Sequence, residues 1–324
     1  MRVLVTGGNG FIGSTVVRIL CGKGHTVRCT LRKTSNLTRL AGLFYEKAIA
    51  DIRDIESLKN AVEGCDAIIH CASLSNWKDL GSPELESIVV GGTRNLINIL
   101  SERPIPMVYL SSAAALGASA TTHEIRNADS NFNLNPKKYR YAAYKAEAEK
   151  HCLKAVEAGA DIVIVNPVET YGPGDTEGVT ASTLIEFTSG PLCLVCDGGT
   201  SVAHVVDVAN GIVAALEKGK AGSKYILGGE NITIAEIAKI AQECAGTKYP
   251  MLRVPAIILK SFVALFSVIR IPALQSALTK YRYATHYWYF DNSQTIRDLG
   301  VSFRSAKETI ADTMAWIKNT RDAK

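Results

Sequence analysis

The chain has 324 residues, 47% of them hydrophobic and 21% charged, with a net charge of +5. That is chain enough for one large or two modest domains around a sizeable core, and the composition excludes a disordered or fibrous protein. No dense lysine or arginine run argues for nucleic acid, so the mild positive balance fits anionic small molecules.

The first ten residues already read as a strand and turn, not as a signal peptide. Val3 to Thr6 predicts a strand buried on both faces, and the apolar period from Phe11 predicts a helix, Asn9 to Cys21, closed by Gly22 and Gly24. Gly7-x-x-Gly10-x-x-Gly13 lies at that junction. Glycines let a backbone turn tightly and approach a phosphate, and a helix N-terminus presents unpaired N–H groups at its positive end, so the stretch predicts a pyrophosphate cradle. The second strand, His25 to Arg32, ends in Arg32-Lys33 with Arg39 seven residues on and no acid between. A cation there suits a ribose 2′-phosphate, where an NAD site commonly has an acid, so NADP(H) is expected over NAD(H).

Ala48 to Asp51 predicts the third strand and Asp54 to Val62 a helix, with Asp54 as its N-cap. Asp66 to His70 predicts the fourth strand, Pro83 to Leu100 a long helix, and Pro106 to Ser111 the fifth strand. His70 ends a strand but reads as a packed, hydrogen-bonded histidine. This alternation is the signature of an α/β fold with a Rossmann-type doubly wound parallel sheet. The fifth strand delivers Ser111-Ser112, and Tyr139 to about Val156 predicts a helix on which Tyr141 and Lys145 share one face, about 6 Å apart along the axis. A free phenol, with a pKa near ~10, is a poor acid–base group at neutral pH. A neighbouring ammonium and a positive nicotinamide ring are expected to lower that value, and a serine hydroxyl opposite can hold charge on a substrate oxygen.

Ile162 to Val165 predicts the sixth strand. Cys193-Leu-Val-Cys196 predicts strand packing, since no second pair or histidine completes a metal site, and the eight cysteines as a whole predict reduced thiols and a cytoplasmic location. Thr233 and Glu236 predict a capping box before a helix from Ile234 to Cys244. The apolar run Val254 to Ile269 carries Pro255 and Lys260 and falls short of the ~20 residues of a transmembrane helix. With Tyr281, Tyr283, Tyr287, Trp288 and Tyr289 following, the region reads as a helical core over the cleft. The sharper reading is an apolar substrate pocket with a membrane-surface face at Ile257 to Ile269. Lys318 to Lys324 reads as a frayed basic tail.

The chain resembles an extended short-chain dehydrogenase/reductase of the NAD-dependent epimerase/dehydratase superfamily, in the style of the dihydroflavonol-4-reductase and 3β-hydroxysteroid dehydrogenase group. The resemblance rests on the turn from Thr6 to Gly13, Asp51-Ile52, His70-Cys-Ala72, Ser112, Tyr141-x-x-x-Lys145, Asn166-Pro167, Tyr171-Gly-Pro-Gly-Asp175 and His204-Val-Val-Asp207, and extends to Phe290-Asp-Asn and Asp298-Leu-Gly300. It implies Ser112, Tyr141 and Lys145 as the catalytic triad. For the cofactor it implies Gly7, Gly10, Phe11, Ile12 and Gly13 at the pyrophosphate, Arg32 at the 2′-phosphate, and Asp51 and Ile52 flanking the adenine. Ala72, Lys145 at the nicotinamide ribose, and Pro167 and Val168 at the ring complete that set, with Tyr141 beside it. It implies a nucleotide-binding domain over 1–168, joined by segments returning around 202–228, and a smaller, mostly helical substrate lobe over 169–201 and 229–324. Pairing of two copies through helices that include the one bearing Tyr141 is common in the family.

Three positions depart from the family pattern: Val89 where an asparagine is frequent, Asn166 in place of an arginine, and Leu116 in place of a tyrosine. The last two weigh against a sugar-nucleotide substrate, and Ala113-Ala114 after Ser112 weigh against a dehydratase. The expected function is hydride transfer between NADP(H) and an apolar or aromatic carbonyl or secondary alcohol. The alternatives are a sugar-nucleotide epimerase with retained cofactor and a non-catalytic NADP(H) sensor.

Overall fold

The computed structural model describes residues 1–74, 76, 77, 79–266 and 271–322. Six strands form in the first half: β1 (Arg2–Thr6), β2 (Thr26–Leu31), β3 (Glu46–Ile49), β4 (Ala67–His70), β5 (Met107–Leu110) and β6 (Ile162–Pro167). Three more, β7 (Glu169–Tyr171), β8 (Cys193–Cys196) and β9 (Gly199–His204), leave that sheet before β10 (Lys224–Leu227) returns to it. The resulting sheet has seven strands in the order β10-β6-β5-β4-β1-β2-β3. Every neighbouring pair is parallel, with Val3 opposite Val27 on one side and Ala67 on the other. This is the doubly wound Rossmann-type sheet expected.

Because side chains alternate across a strand, each central strand feeds two cores. Val3, Val5, Val108 and Val165 enter one with α1 (Phe11–Gly22), while Leu4, Ile68, Met107 and Ile164 enter the other with α2 (Ile55–Val62), α3 (Gly92–Glu102) and α4 (Arg140–Glu157). Beyond α5 (Ala181–Phe187), helix α6 (Val205–Lys218) packs on α1 and closes the first layer. Asp54 caps α2 by accepting from the N–H groups of Glu56 and Ser57.

The remaining elements are β11 (Glu230–Thr233), α7 (Ile234–Ala245), β12 (Met251–Val254), α8 (Ala256–Phe266), α9 (Pro272–Ala284), β13 (Tyr287–Trp288), α10 (Ser293–Leu299) and α11 (Ala306–Asp322). Thr233 and Glu236 form the capping box of α7. The helices of this region are joined by two small sheets, β11-β9-β13 with β7, and β12 with β8. Cys193 and Val195 point inward from β8, as strand packing requires, and all eight cysteines are free thiols.

Three details differ from expectation. β3 runs from Glu46 to Ile49, two residues earlier than Ala48 to Asp51, because Glu46 is tied to Arg28 and Arg2 across the strands. The helix expected from Pro83 is interrupted by a π-helical turn at Ser87–Gly91 before α3 starts. The expected frayed tail is helical as far as Asp322, since Ile310, Met314 and Ile317 bury against α7. The ends of two expected segments, 267–269 of the apolar run and 323–324 of the tail, lie outside the described residues.

Candidate active site

From β1 the chain winds outward to β2 and β3, then crosses back to β4 on the other side of β1. Ligands of open α/β sheets collect at such a reversal, beyond the carboxyl ends of the strands. A cavity of about 1050 Å³ opens there and continues into the second half of the chain. Gly7, Gly10, Phe11, Ile12, Gly13 and Arg32 line one end; Ser112, Tyr141, Lys145, Pro167 and Val168 line its middle. Asp51, Ile52 and Ala72 are not among the lining residues.

The glycine spacing is explained by contact. Gly7 turns with φ +67°, and a Cβ on it would meet the Ala72 backbone at 2.7 Å. A Cβ on Gly13 would lie 2.2 Å from the Gly7 carbonyl oxygen. Only bare backbone lets β1, α1 and the exit of β4 converge so closely, and the first N–H groups of α1 then face whatever occupies the cradle. Arg32 is exposed at the end of β2. It lies near enough to Asp51 to favour that carboxylate, but Asp51 is held by Arg53 at 2.7 Å and pushed down to about 2, chiefly by that hydrogen bond. Arg39, in contrast, is consumed by the Gly174 carbonyl at 2.7 Å, Thr176 at 2.6 Å and the Glu177 carboxylate.

Ser112 follows β5, and its Oγ accepts the Ala114 N–H at 3.3 Å to cap a short 3₁₀ turn. With one lone pair so engaged, its O–H is left to donate into the cavity. Tyr141 and Lys145 stand one turn apart at the start of α4. Burial pushes the Tyr141 phenol up to about 12, against the opposing pull of the Ser112 and Ser73 hydroxyls. The expected lowering by Lys145 is absent: its ammonium donates to the Leu110 carbonyl at 2.7 Å and lies 5.1 Å from the centre of the Tyr109 ring. Burial brings Lys145 itself down to about 8. Desolvation therefore outweighs the two serine hydroxyls. His70 is a packed histidine: it bonds Thr6 at 2.7 Å and Thr93 at 3.2 Å, and burial brings it down to about 3.

The far end of the cavity is apolar. Phe187, Val195, Leu259 and Phe262 line it, together with Tyr283 and Trp288 stacked at 5.1 Å. Of the five crowded aromatics, Tyr281, Tyr283 and Trp288 line the cavity, and Tyr287 and Tyr289 do not. Core and pocket are thus one structure.

A profile of the NAD dependent epimerase/dehydratase family matches residues 3–228. The chain belongs to this family. Its members use a nicotinamide dinucleotide, and some relatives span nearly the full length. Sterol demethylase protein B of Methylococcus capsulatus is 27% identical over 327 residues, covering 98% of both chains. A Synechocystis protein that carries a dihydroflavonol 4-reductase name is 30% identical, over 97% of this chain and 94% of its own. The crystal structure of gox2253 superposes with a TM-score of 0.84 at 29% identity and covers 98% of each chain.

The positions that depart from the epimerase/dehydratase pattern have structural roles here. Asn166 is fully buried and donates to the Ser112 carbonyl at 3.0 Å and to Glu149 at 2.6 Å. Glu149 also accepts the Ser111 hydroxyl at 2.5 Å and lies 3.4 Å from Lys224, so a buried carboxylate holds the serine loop in place. Val89 and Leu116 are core residues. Two cavity residues were missed by sequence reasoning. Ser73, just past β4, has a buried Oγ without an aligned partner among the described residues, although it faces the Tyr141 phenol. Glu169 on β7 lines the cavity and accepts the Tyr171 hydroxyl at 2.8 Å, its carboxyl pushed up by burial. For Ser73 the available signal was its place at a strand's carboxyl end.

Proposed function

We propose that this protein is an NADP(H)-dependent carbonyl reductase acting on apolar or aromatic ketones, or aldehydes of that class. The observation that carries the reading is a protonated phenol, Tyr141, set between a glycine cradle and an apolar cavity wall. A phenol carries its proton at neutral pH and can give it to a carbonyl oxygen placed beside it.

The cradle fits a dinucleotide: bare backbone at Gly7 and Gly13, helix N–H groups at the start of α1, and an exposed guanidinium at Arg32. The nicotinamide, when bound, supplies a hydride to the carbonyl carbon. Tyr141 gives its proton to the carbonyl oxygen as the new C–H bond forms, so the product is the neutral alcohol. Ser112 donates a hydrogen bond to the same oxygen and steadies the charge gathering on it. Lys145 is buried one turn along α4 and lines the same cavity, where its ammonium would hold the nicotinamide ribose. Pro167 and Val168 form the apolar wall at the ring. The far wall, where Phe187, Val195, Leu259, Phe262, Tyr283 and Trp288 lie beside polar groups such as Glu169 and Thr183, suits a flat or greasy substrate with a polar handle better than a sugar nucleotide.

The test is consumption of NADPH by the purified protein with a panel of aryl and alicyclic ketones, beside interconversion of UDP-hexoses. Net NADPH oxidation with ketones is expected; hexose interconversion without net turnover would reject the reductase. In the same assay Arg32→Ala is expected to raise KM for NADPH at least tenfold and leave that for NADH nearly unchanged. Equal losses would remove the phosphate role of Arg32.

A further inference from the structure

From Cys244 to Phe290 the chain contains no aspartate or glutamate, yet it contains six lysines and arginines. The whole chain has 36 basic and 31 acidic side chains, so without those six the balance is 30 against 31. The chain's net positive excess therefore belongs to this stretch, which builds β12, α8 and α9 beside the cavity.

The same stretch is greasy on the outside. On α8, Ile257 is 71% exposed, Ile258 58%, Phe262 43% and Leu265 69%. At about 100° per residue these four fall within an arc of about 140°. Val263 is buried on the opposite side and Lys260 flanks the arc, without an ion pair among the described residues. Leu194 of β8 and Leu252 of β12 face each other in register and are 57% and 51% exposed. Leu194, Ile258 and Phe262 also line the cavity, so the outer apolar surface runs without a break into the pocket. Scattered exposed leucines are ordinary, but a contiguous apolar face flanked by an unpaired lysine and continuous with a cavity is not.

We propose that this face docks on an anionic lipid bilayer, with α8 lying in the interface and the cavity mouth opening towards the acyl chains. Ile257 and Leu265 enter the acyl boundary, while Lys260 reaches the headgroups; Arg253 is held by the Asp197 carboxylate at 2.6 Å. No helix among the described residues is long and apolar enough to cross a membrane, so the contact is peripheral. A second copy of the chain is a poor occupant, because a two-fold contact centred on α8 would set Lys260, which has no ion pair among the described residues, against its own counterpart. The docking stands apart from the reductase reading, since vesicle binding needs no turnover. Where both hold, the substrate is one that partitions into the bilayer.

The test is co-sedimentation of the full chain with phosphatidylcholine vesicles, with and without phosphatidylglycerol, at low and high salt. Binding to the anionic vesicles that weakens with salt is expected. The pair Ile257→Glu and Leu265→Glu is expected to lower the partition coefficient about tenfold or more, with NADPH binding and thermal unfolding unchanged. Lys260→Glu is expected to weaken binding to anionic vesicles only, and it carries the test should the double variant fail to fold. Protein that stays in solution with both vesicle types, or a folded double variant that sediments like the parent, overturns the proposal. So does a dimer that the double variant dissociates while vesicles bind neither form.

Discussion

Tyr141→Phe is expected to lower kcat by roughly 10²- to 10⁴-fold, with NADPH affinity and thermal stability close to the parent. The substitution removes one oxygen from a ring that is otherwise packed, so neither the cradle nor α4 has reason to move. What disappears is the proton delivered to the substrate oxygen, and with it the group to which Ser112 and Ser73 are turned. Stopped-flow absorbance at the nicotinamide band separates the two effects: cofactor binds as before and its oxidation stalls. Should kcat survive within a factor of a few, another donor must reach the oxygen, and Tyr141 would be reduced to packing.

Gly13→Ala is expected to abolish measurable cofactor binding and to lower the unfolding temperature by several degrees. The added Cβ would stand 2.2 Å from the carbonyl oxygen of Gly7 and 2.9 Å from its carbonyl carbon. Those are backbone atoms, so no side-chain rotation relieves the contact; the turn itself has to open. Overpacking of this kind costs about 1–3 kcal/mol, and the shift displaces the N–H groups of α1 from the place where a pyrophosphate would sit. Gly22→Ala, at the end of the same helix, meets nothing within 4 Å and is the control. It should bind cofactor normally and unfold no earlier than the parent, as differential scanning fluorimetry and NADPH titration would report.

The parts that could be read from the sequence are those dictated by local rules. Val3 to Thr6 is a continuous apolar run, the glycine period follows it at once, and Asp54 and Thr233 are capping residues in capping positions. Each needs only its neighbours in the chain. The misses are non-local. Glu169 is buried against the cavity because β7 pairs in parallel with β9, about thirty residues on, and no periodicity in a three-residue strand announces that. The register of β3 was set by ion pairs from Glu46 to two other strands. The direction of the Tyr141 shift is set by burial against the Ser112 and Ser73 hydroxyls, and spacing along a helix reveals neither. Lys145 is one turn away, but its ammonium is turned to the Leu110 carbonyl.

That last point shapes the chemistry proposed. A phenol that holds its proton is the form that can give one to a carbonyl oxygen. The most direct measurement uses NADPH deuterated at both C4 positions with a ketone that is turned over. The account predicts one deuterium at the carbinol carbon of each product molecule, with one NADPH oxidised per turnover. Product formed with no label from the cofactor, or a hydroxyl carbon inverted while the NADPH pool stays constant, would contradict it.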